Sequence, residues 1–468
     1  MLHISTRGEA PAIGFTEALL AGLARDGGLY VPQDYPLIGR DDIADYAGRR
    51  YADVARDVLG RLIEGDIPDD DFIAMVEQAY SCFRHPATCP LTQIDDNLFV
   101  LELFHGPTLA FKDVAMQLLG RLMDHVLKKS GKRATIVGAT SGDTGSAAVE
   151  AFGGLSQVDV FILYPHGRVS DVQRRQMTTV GAGNVHAIAL EGTFDDCQAI
   201  VKGLFNNARF REEMLLSGVN SINWARVAAQ VVYYFTAAVS LGAPHREVAF
   251  SVPTGNFGDI LAGWVARRMG LPIADLQIAS NANDILPRAL ASGRYEIRGV
   301  NPTTSPSMDI QISSNFERLL FEAYNRDAGA IRALMASLAQ SRAFDIAPGP
   351  LARIREEFSA RAVPEDEVAA EIGMTWREAG YLLDPHTAIG VAAAREALSR
   401  DRATPRVVLA TAHPAKFPQA VEAASGVSPA LPPHLADLFE RKECFTVTPA
   451  DQGAVERFIR ERSRVAGG

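Results

Sequence analysis

The stretch Leu101–Gly120, LELFHGPTLAFKDVAMQLLG, sets the reading of the whole chain. Leu98–Leu103 is apolar apart from Glu102 and reads as a buried strand. His105-Gly-Pro-Thr108 is turn chemistry, because Gly and Pro punctuate a chain. From Phe111 onward, apolar residues recur at helical spacing as Val114/Ala115, Leu118/Leu119, Leu122/Met123 and Val126/Leu127. Lys112 therefore sits where a loop becomes a helix, a place that favours negative charge. Hemmed in by Phe104, Leu109 and Phe111, its ammonium is disfavoured, and such lysines are the ones that form Schiff bases. The plainer alternative is a surface lysine whose stem lies on apolar neighbours. Local pattern alone favours that alternative, and the rest of the chain reverses the preference.

Outward from that stretch, strand, loop and helix alternate. Ala134–Val137, Val158–Tyr164, Val185–Leu190, Val248–Val252, Ile273–Ala279 and Arg406–Ala410 read as strands. Asp143–Phe152, Ser170–Thr179, Phe194–Phe205, Ala225–Val239 and Gly258–Met269 read as helices between them, with Ser170 as an N-cap. This alternation means a mostly parallel sheet covered by helices, with the site beyond the carboxyl ends of strands. Before it, residues 1–90 are mainly helical in pattern: Phe15–Leu23, Tyr51–Leu62 and Asp69–Ala79, the last with an acidic first turn. Residues 300–318 form a Pro/Ser/Thr-rich loop, long enough to be functional or a linker. Ile331–Leu338 and Leu351–Phe358 read as helices, Val363–Glu367 as a polar break, and Leu431–Gly468 as polar and partly helical.

Composition narrows the function classes. The chain has 468 residues, 47% hydrophobic and 22% charged, ample for a large core. A net charge of −10 without a basic run argues against nucleic acid. No stretch is apolar for long enough to span a bilayer, and the start MLHISTRGEA lacks a signal-like segment, so the cytoplasm is the expected compartment. Four scattered cysteines and ten histidines show no metal spacing, so no metal site is expected. Nothing in the sequence sets an oligomeric state.

Three loops of small residues each follow a strand: Gly138–Ser146 (GATSGDTGS), Val252–Asp259 (VPTGNFGD) and Thr411–Lys416 (TAHPAK). Free amides at a helix start make an anion nest. One such loop is a weak signal. Three of them, with the lysine, point to one anionic cofactor in a crevice.

HGPTLAFKD, ATSGDTGSAA, PTGNFGD, SMDIQISSNFERLLFE and TAHPAKF together resemble the threonine synthases of the bacterial and fungal type. STRG…FTEALLAGLARDGGLYVP resembles that family's N-terminal domain. The resemblance covers nearly the whole chain. It implies a lyase dependent on pyridoxal 5'-phosphate, with the tryptophan synthase β-like fold. That fold is α/β, with two open, mostly parallel sheets, flanking helices and a mainly helical N-terminal domain. It implies three regions: 1–90 as the N-terminal domain, 91–330 as the cofactor-binding catalytic region, and 331–468 completing it. It implies conversion of O-phospho-L-homoserine and water to L-threonine and phosphate. The alternative is a phospholyase on the same substrate, giving 2-oxobutanoate.

Residue by residue, Lys112 matches the lysine that holds the cofactor and moves protons. Gly255, Asn256, Phe257, Gly258 and Asp259 match the cofactor-phosphate loop, and Thr411 the hydroxyl facing the pyridine nitrogen. Asp143 matches a position beside the phenolic oxygen, where many relatives in the wider fold family carry Asn. Ser141, Gly142 and Thr144 match the loop for the substrate carboxylate. Ser221, Asn223 and Arg226 match residues that hold the substrate phosphate, a task suited to a guanidinium fork. The plainer alternatives are an ion pair on a helix surface for Arg226, helix capping for Ser141 and Thr144, and backbone satisfaction for Thr411. His105 and His413 read as packing or hydrogen-bonding residues.

Overall fold

Strand Leu98–Glu102 and helix Lys112–Lys129 form where their apolar spacing requires. The computed structural model describes residues 1–465; residues 466–468, the end of the expected polar C-terminal region, lie outside the described residues. Leu98–Glu102 belongs to a six-stranded sheet, in the order Phe358–Ala362, Ile273–Ser280, Val248–Pro253, Arg406–Ala410, Leu98–Glu102, Leu91–Asp95. All its neighbours are parallel except the edge strand Leu91–Asp95. A second sheet of five parallel strands runs Thr446–Pro449, Val185–Glu191, Val158–Pro165, Ala134–Ala139, Leu216–Ser217. Val158–Pro165 and Arg406–Ala410 are buried at every position, as strands covered on both faces must be.

The N-terminal unit opens with His3–Ser5 paired antiparallel to Tyr30–Pro32. Its helix Tyr51–Ile63 buries Tyr51, Val54, Ala55, Val58, Leu59 and Leu62, one face at three- and four-residue spacing. Burying a Val or Leu side chain contributes about 1.5–3 kcal/mol each. That face packs on helix Trp224–Ser240, while helix Asp69–Tyr80 packs on Lys112–Lys129. The unit therefore lies against the helices that carry Lys112 and Arg226.

Departures from expectation cluster after residue 280. The polar break at Val363–Glu367 is instead a helix start. Pro364 is the N-cap of Glu365–Ala379, and Glu365, Asp366 and Glu367 fill its first turn, where acids complement the dipole. Helix Pro385–Arg400 had no stripe to announce it, since residues 385–394 are buried on every side. The long loop around residues 300–318 is ordered around Asp309. Its carboxylate accepts from Asn281 Nδ2 (2.8 Å), Asn283 Nδ2 (2.9 Å) and Thr303 Oγ1 (2.6 Å).

Candidate active site

The carboxyl ends of strands from both sheets meet at Lys112. Pairing of Leu98–Glu102 with Arg406–Ala410 brings two loops into contact. Phe111 N donates to Thr411 O (2.8 Å), and His413 N to Leu109 O (3.0 Å). Leu109 takes a left-handed φ of 62°, which turns the chain into the helix that starts at Lys112. The Lys112 side chain is buried and its Nζ lies 3.3 Å from Asp143 Oδ2. Asp143 opens the helix after strand Ala134–Ala139 of the other sheet. The Lys112–Asp143 pair thus joins the two sheets at the site.

Asp143 is a hub. Its Oδ1 takes Lys416 Nζ at 2.8 Å and Gln173 Nε2 at 2.9 Å, and Ser307 Oγ lies 3.4 Å from Oδ2. Burial pushes its acidity down, but Lys112 and Lys416 outweigh burial and hold the carboxyl well below its usual range. Lys112 moves the other way: burial lowers its basicity, with Lys416 and Arg226 adding and Asp143 opposing. An amine of lowered basicity is available as a nucleophile and base.

The Ser141–Thr144 loop turns through Gly142, whose φ of 146° suits glycine alone, and a Cβ there would run into the Gln173 amide. Thr140 Oγ1 accepts from Gly142 N and Gly145 N, both at 2.9 Å. Neither Ser141 nor Thr144 caps the helix; the N-cap is Gly142, with no side-chain bond. Their hydroxyls are left for other partners.

The Gly255–Gly258 loop follows strand Val248–Pro253. Phe257, the N-cap of helix Gly258–Arg268, is left-handed at φ 64°. Among the described residues, the backbone N–H groups of Gly255, Asn256, Phe257 and Gly258 donate to no protein acceptor. Four unspent consecutive amides at a helix start fit a phosphate. The Asp259 side chain turns away from that role. It accepts from the Tyr233 and Tyr234 hydroxyls, and burial pushes its carboxyl up to about 7. A carboxylate so placed repels phosphate, so Asp259 contributes to the loop through packing and its backbone.

Arg226 lies on helix Trp224–Ser240 and is buried with no acid beside it. One nitrogen donates to Val219 O (3.0 Å) and Nε has no partner. Burial lowers its basicity to about 10. This is no surface ion pair: a buried, under-partnered guanidinium is costly without an anion. Asn223 departs from expectation. Its Oδ1 caps the helix through Ala225 N (3.0 Å) and its Nδ2 donates to Leu19 O (2.9 Å) of the N-terminal unit. Its amide is spent on shaping the loop rather than facing a ligand. Ser221 is half-buried, and Thr411, buried, has no hydroxyl partner among the described residues.

Sequence reasoning missed the residues that bind these loops together. Asn315 Nδ2 donates to Asn256 O (3.0 Å) and Ser221 O (3.1 Å), joining two of the loops. Arg318, fully buried, bonds Asn315 Oδ1, Ile222 O (2.6 Å) and Tyr30 O (2.9 Å). The polar spacing in SSNFER was the one available signal. Lys416 lay in the loop Thr411–Lys416 but nothing marked its side chain, and Gln173 had no signal, because their partner Asp143 is remote in the chain. His105 pairs with Glu102 (2.6 Å) and lines a separate cavity of about 530 Å³. Lys112 is not part of its lining. His413 lines it too and caps the turn Pro414–Lys416 through Ala415 N.

The residues present fit pyridoxal phosphate: a buried amine of lowered basicity, a nest of free amides and an unpartnered hydroxyl follow three strands of the six-stranded sheet, and Asp143 meets the amine from the other sheet. Comparison with known proteins agrees. Residues 87–348 match the family model for pyridoxal-phosphate dependent enzymes. Residues 2–80 match that for the threonine synthase N terminus, and 387–459 that for the threonine synthase C-terminal region. Threonine synthase from Pseudomonas aeruginosa is 54% identical over 460 residues, covering 98% of each chain. The crystal structure of PLP-bound threonine synthase from Brucella melitensis superposes with a TM-score of 0.97 at 63% identity, covering 99% of this chain and 100% of that one. The structure of yeast threonine synthase gives 0.94 at 40% identity, covering 98% of each.

Proposed function

The chain belongs to the threonine synthase family, and on that premise we propose that it converts O-phospho-L-homoserine and water to L-threonine and phosphate, with Lys112 holding its cofactor. It is a pyridoxal-phosphate-dependent lyase of amino-acid biosynthesis. The observation that carries the substrate assignment is Arg226, a buried guanidinium with an unpartnered Nε and no acid to neutralise it. Such a group needs an anion, and the substrate's phosphate provides one.

When bound, the cofactor supplies an electron sink for charge developing at the substrate's α and β carbons. The protein's residues do the rest. The amides of residues 255–258 would hold the cofactor phosphate, the Thr411 hydroxyl would serve the ring nitrogen, and Asp143 would serve the phenolic oxygen. Ser141, Gly142 and Thr144 hold the substrate carboxylate with amides and free hydroxyls. Lys112 takes the α proton and releases it before taking a β proton, which it returns at the γ carbon after phosphate has left; a proton goes back to the α carbon once water has added at the β carbon. One amine on a flexible stem reaches all three positions. Arg226 and Ser221 hold the departing phosphate, which keeps it near the β carbon where water adds. Asn223 acts behind them, fixing the loop to Leu19.

The domain reading follows the same premise: 1–90 shapes the substrate loop, 91–330 carries the cofactor, and 331–468 completes the site through Thr411. We place the reaction in the cytoplasm, where free thiols such as Cys82, Cys89, Cys197 and Cys444 persist. Among the described residues no helix is long and apolar enough to cross a membrane. The test is product analysis of purified protein given pyridoxal phosphate and O-phospho-L-homoserine, with borohydride reduction and peptide mapping. Threonine as the product and a pyridoxyl group on Lys112 are expected. 2-Oxobutanoate alone would make the protein a phospholyase, and a label on another lysine would displace Lys112.

A further inference from the structure

The site contains a second buried lysine for which the chemistry above has no task. Lys416 ends the short turn Pro414–Lys416, is fully buried, and has two contacts: Asp143 Oδ1 at 2.8 Å and Thr108 O at 2.7 Å. Thr108 is itself fixed. Its N–H and hydroxyl donate to Asp113 (2.8 and 2.7 Å), and its carbonyl also accepts from Gln176 (3.0 Å). Lys416 is therefore anchored on one side by backbone and committed on the other to one carboxylate oxygen. Lys112 approaches the other oxygen of the same carboxylate at 3.3 Å. Two lysine nitrogens thus share one buried carboxylate, and the one outside the proposed chemistry makes the shorter contact.

A buried ammonium is expensive unless paired. A bare carboxylate 3.3 Å from Lys112 would also hold that amine as an ammonium, useless as nucleophile or base. The pairing removes both difficulties. We propose that Lys416 is a positioning residue that neutralises Asp143, so that the carboxylate orients the Lys112 amine without fixing a proton on it. This rests on the reading of Lys112 as the cofactor lysine.

The charged groups around Lys112 give the sign. Asp143 faces it from helix Asp143–Phe152, Lys416 from the turn after the last strand of the large sheet, and Arg226 from helix Trp224–Ser240. Asp259, on helix Gly258–Arg268, lies within electrostatic reach. Asp113, next in the chain, faces Thr108 and Lys416. Removing Lys416 deletes one positive neighbour and unmasks a negative one. Both changes favour the ammonium, so the Lys112 titration moves to higher pH. An unmasked opposite charge this close shifts a titration by about 1–3 units. At a fixed pH below the midpoint, each unit removes about nine-tenths of the free amine.

The experiment follows Lys112 itself in the full-length protein freed of cofactor. Labelling by an amine-reactive reagent is measured against pH and located by peptide mapping, with thermal unfolding in parallel. Lys416→Met is expected to raise the Lys112 midpoint by about 1 unit or more. Lys416→Arg, which keeps the charge, should leave it near wild type. The double variant Asp143→Asn/Lys416→Met replaces the ion pair by neutral groups of similar size and should return the midpoint to wild type. A Lys416→Met protein that loses thermal stability with an unmoved midpoint overturns the proposal, since that is all a packing role would do. If Lys416→Met does not fold, the double variant decides: a folded protein with a wild-type midpoint supports neutralisation. A shifted midpoint, or failure to fold, overturns it. The titration is read without cofactor, and reduction of the holoenzyme identifies the cofactor lysine separately, so the two readings fail independently.

Discussion

The loops Gly255–Gly258 and Ser221–Arg226 are tied side by side through Asn315, yet they are built from opposite materials. The first has small residues, a left-handed Phe257 and a row of unspent amides. The second depends on one buried guanidinium, held by a single carbonyl bond. On the assignment proposed above, each holds a phosphate. Amides fixed by a turn are in place whenever the fold is, which suits a group that stays. A lone buried cation gains most when an anion arrives, which suits a phosphate that comes with each substrate and leaves with each turnover. The site uses geometry for its resident and charge for its visitor.

The contrast breaks most sharply at Arg226. Arg226→Ala should lower kcat/KM by about 100-fold or more, since charge-assisted bonds to a buried anion are lost. With the phosphate unheld, water addition loses its guide, and 2-oxobutanoate should appear beside threonine. Initial rates and chromatographic product ratios check both. Unchanged affinity with an unchanged ratio would reduce Arg226 to a packing residue.

Gly255→Val attacks the other side. A Cβ at Gly255 would sit 3.1 Å from Ser307 O and 3.4 Å from Met308 Cα, so a branched side chain must displace the loop. Cofactor affinity, read by fluorescence titration, should fall about tenfold, an effect of about 1.4 kcal/mol. The substrate KM of the fully loaded enzyme should move less; a larger change in KM would erase the distinction between the loops.

Asn315→Ala should blur the distinction, because one amide serves both loops. Losing the two neutral hydrogen bonds of about 1 kcal/mol each, together with the bond Arg318 donates to Asn315 Oδ1, predicts a loss of roughly fivefold or more in cofactor affinity and in kcat/KM alike. A loss confined to one of the two would show that Asn315 supports that loop alone.

The smallest effect concerns Asp259, behind the amide loop. Burial lifts its carboxyl from 3.8 to about 7 in the folded protein. Between those values the folded state keeps a proton that the unfolded chain has lost, so stability falls as pH rises from about 4 to about 7. Asp259→Asn should flatten that slope and gain a few degrees in Tm at pH 8 relative to wild type. Parallel curves of Tm against pH for the two proteins would remove the effect.

The sequence made the inner strands and the charge-bearing loops legible because both are local, whereas the edge strands Leu91–Asp95, Leu216–Ser217, Phe358–Ala362 and Thr446–Pro449, less continuously buried, were missed. Apolar runs mark buried strands, and glycine-rich turns mark where backbone amides stand free. Helices wetted on one side were equally clear, as Tyr51–Ile63 shows. What stayed hidden was either buried on all sides, such as Pro385–Arg400, or made by partners far apart in the chain. Lys416 and Asp143 meet across two sheets, and Arg318 reaches Tyr30. Such pairs leave no local period. Asn223 shows the converse: a motif match puts it at the site, but hydrogen bonds to Ala225 and Leu19 decide what its side chain does.

The position of Arg406–Ala410 inside the large sheet has a consequence for how the protein is made. That strand lies between Leu98–Glu102 and Val248–Pro253, although it leaves the ribosome after both. At typical elongation rates, roughly 15 to 60 s separate synthesis of the first of these strands from synthesis of the one that pairs with it. From its own synthesis until the end of that interval, each neighbour presents an unpaired edge, the kind that recruits strands from other chains. Truncation before residue 406 leaves both of those edges without the strand that pairs with them. Thr411 and Lys416 emerge just behind that strand, so the chain completes its chemistry and closes its large sheet in the same act of synthesis.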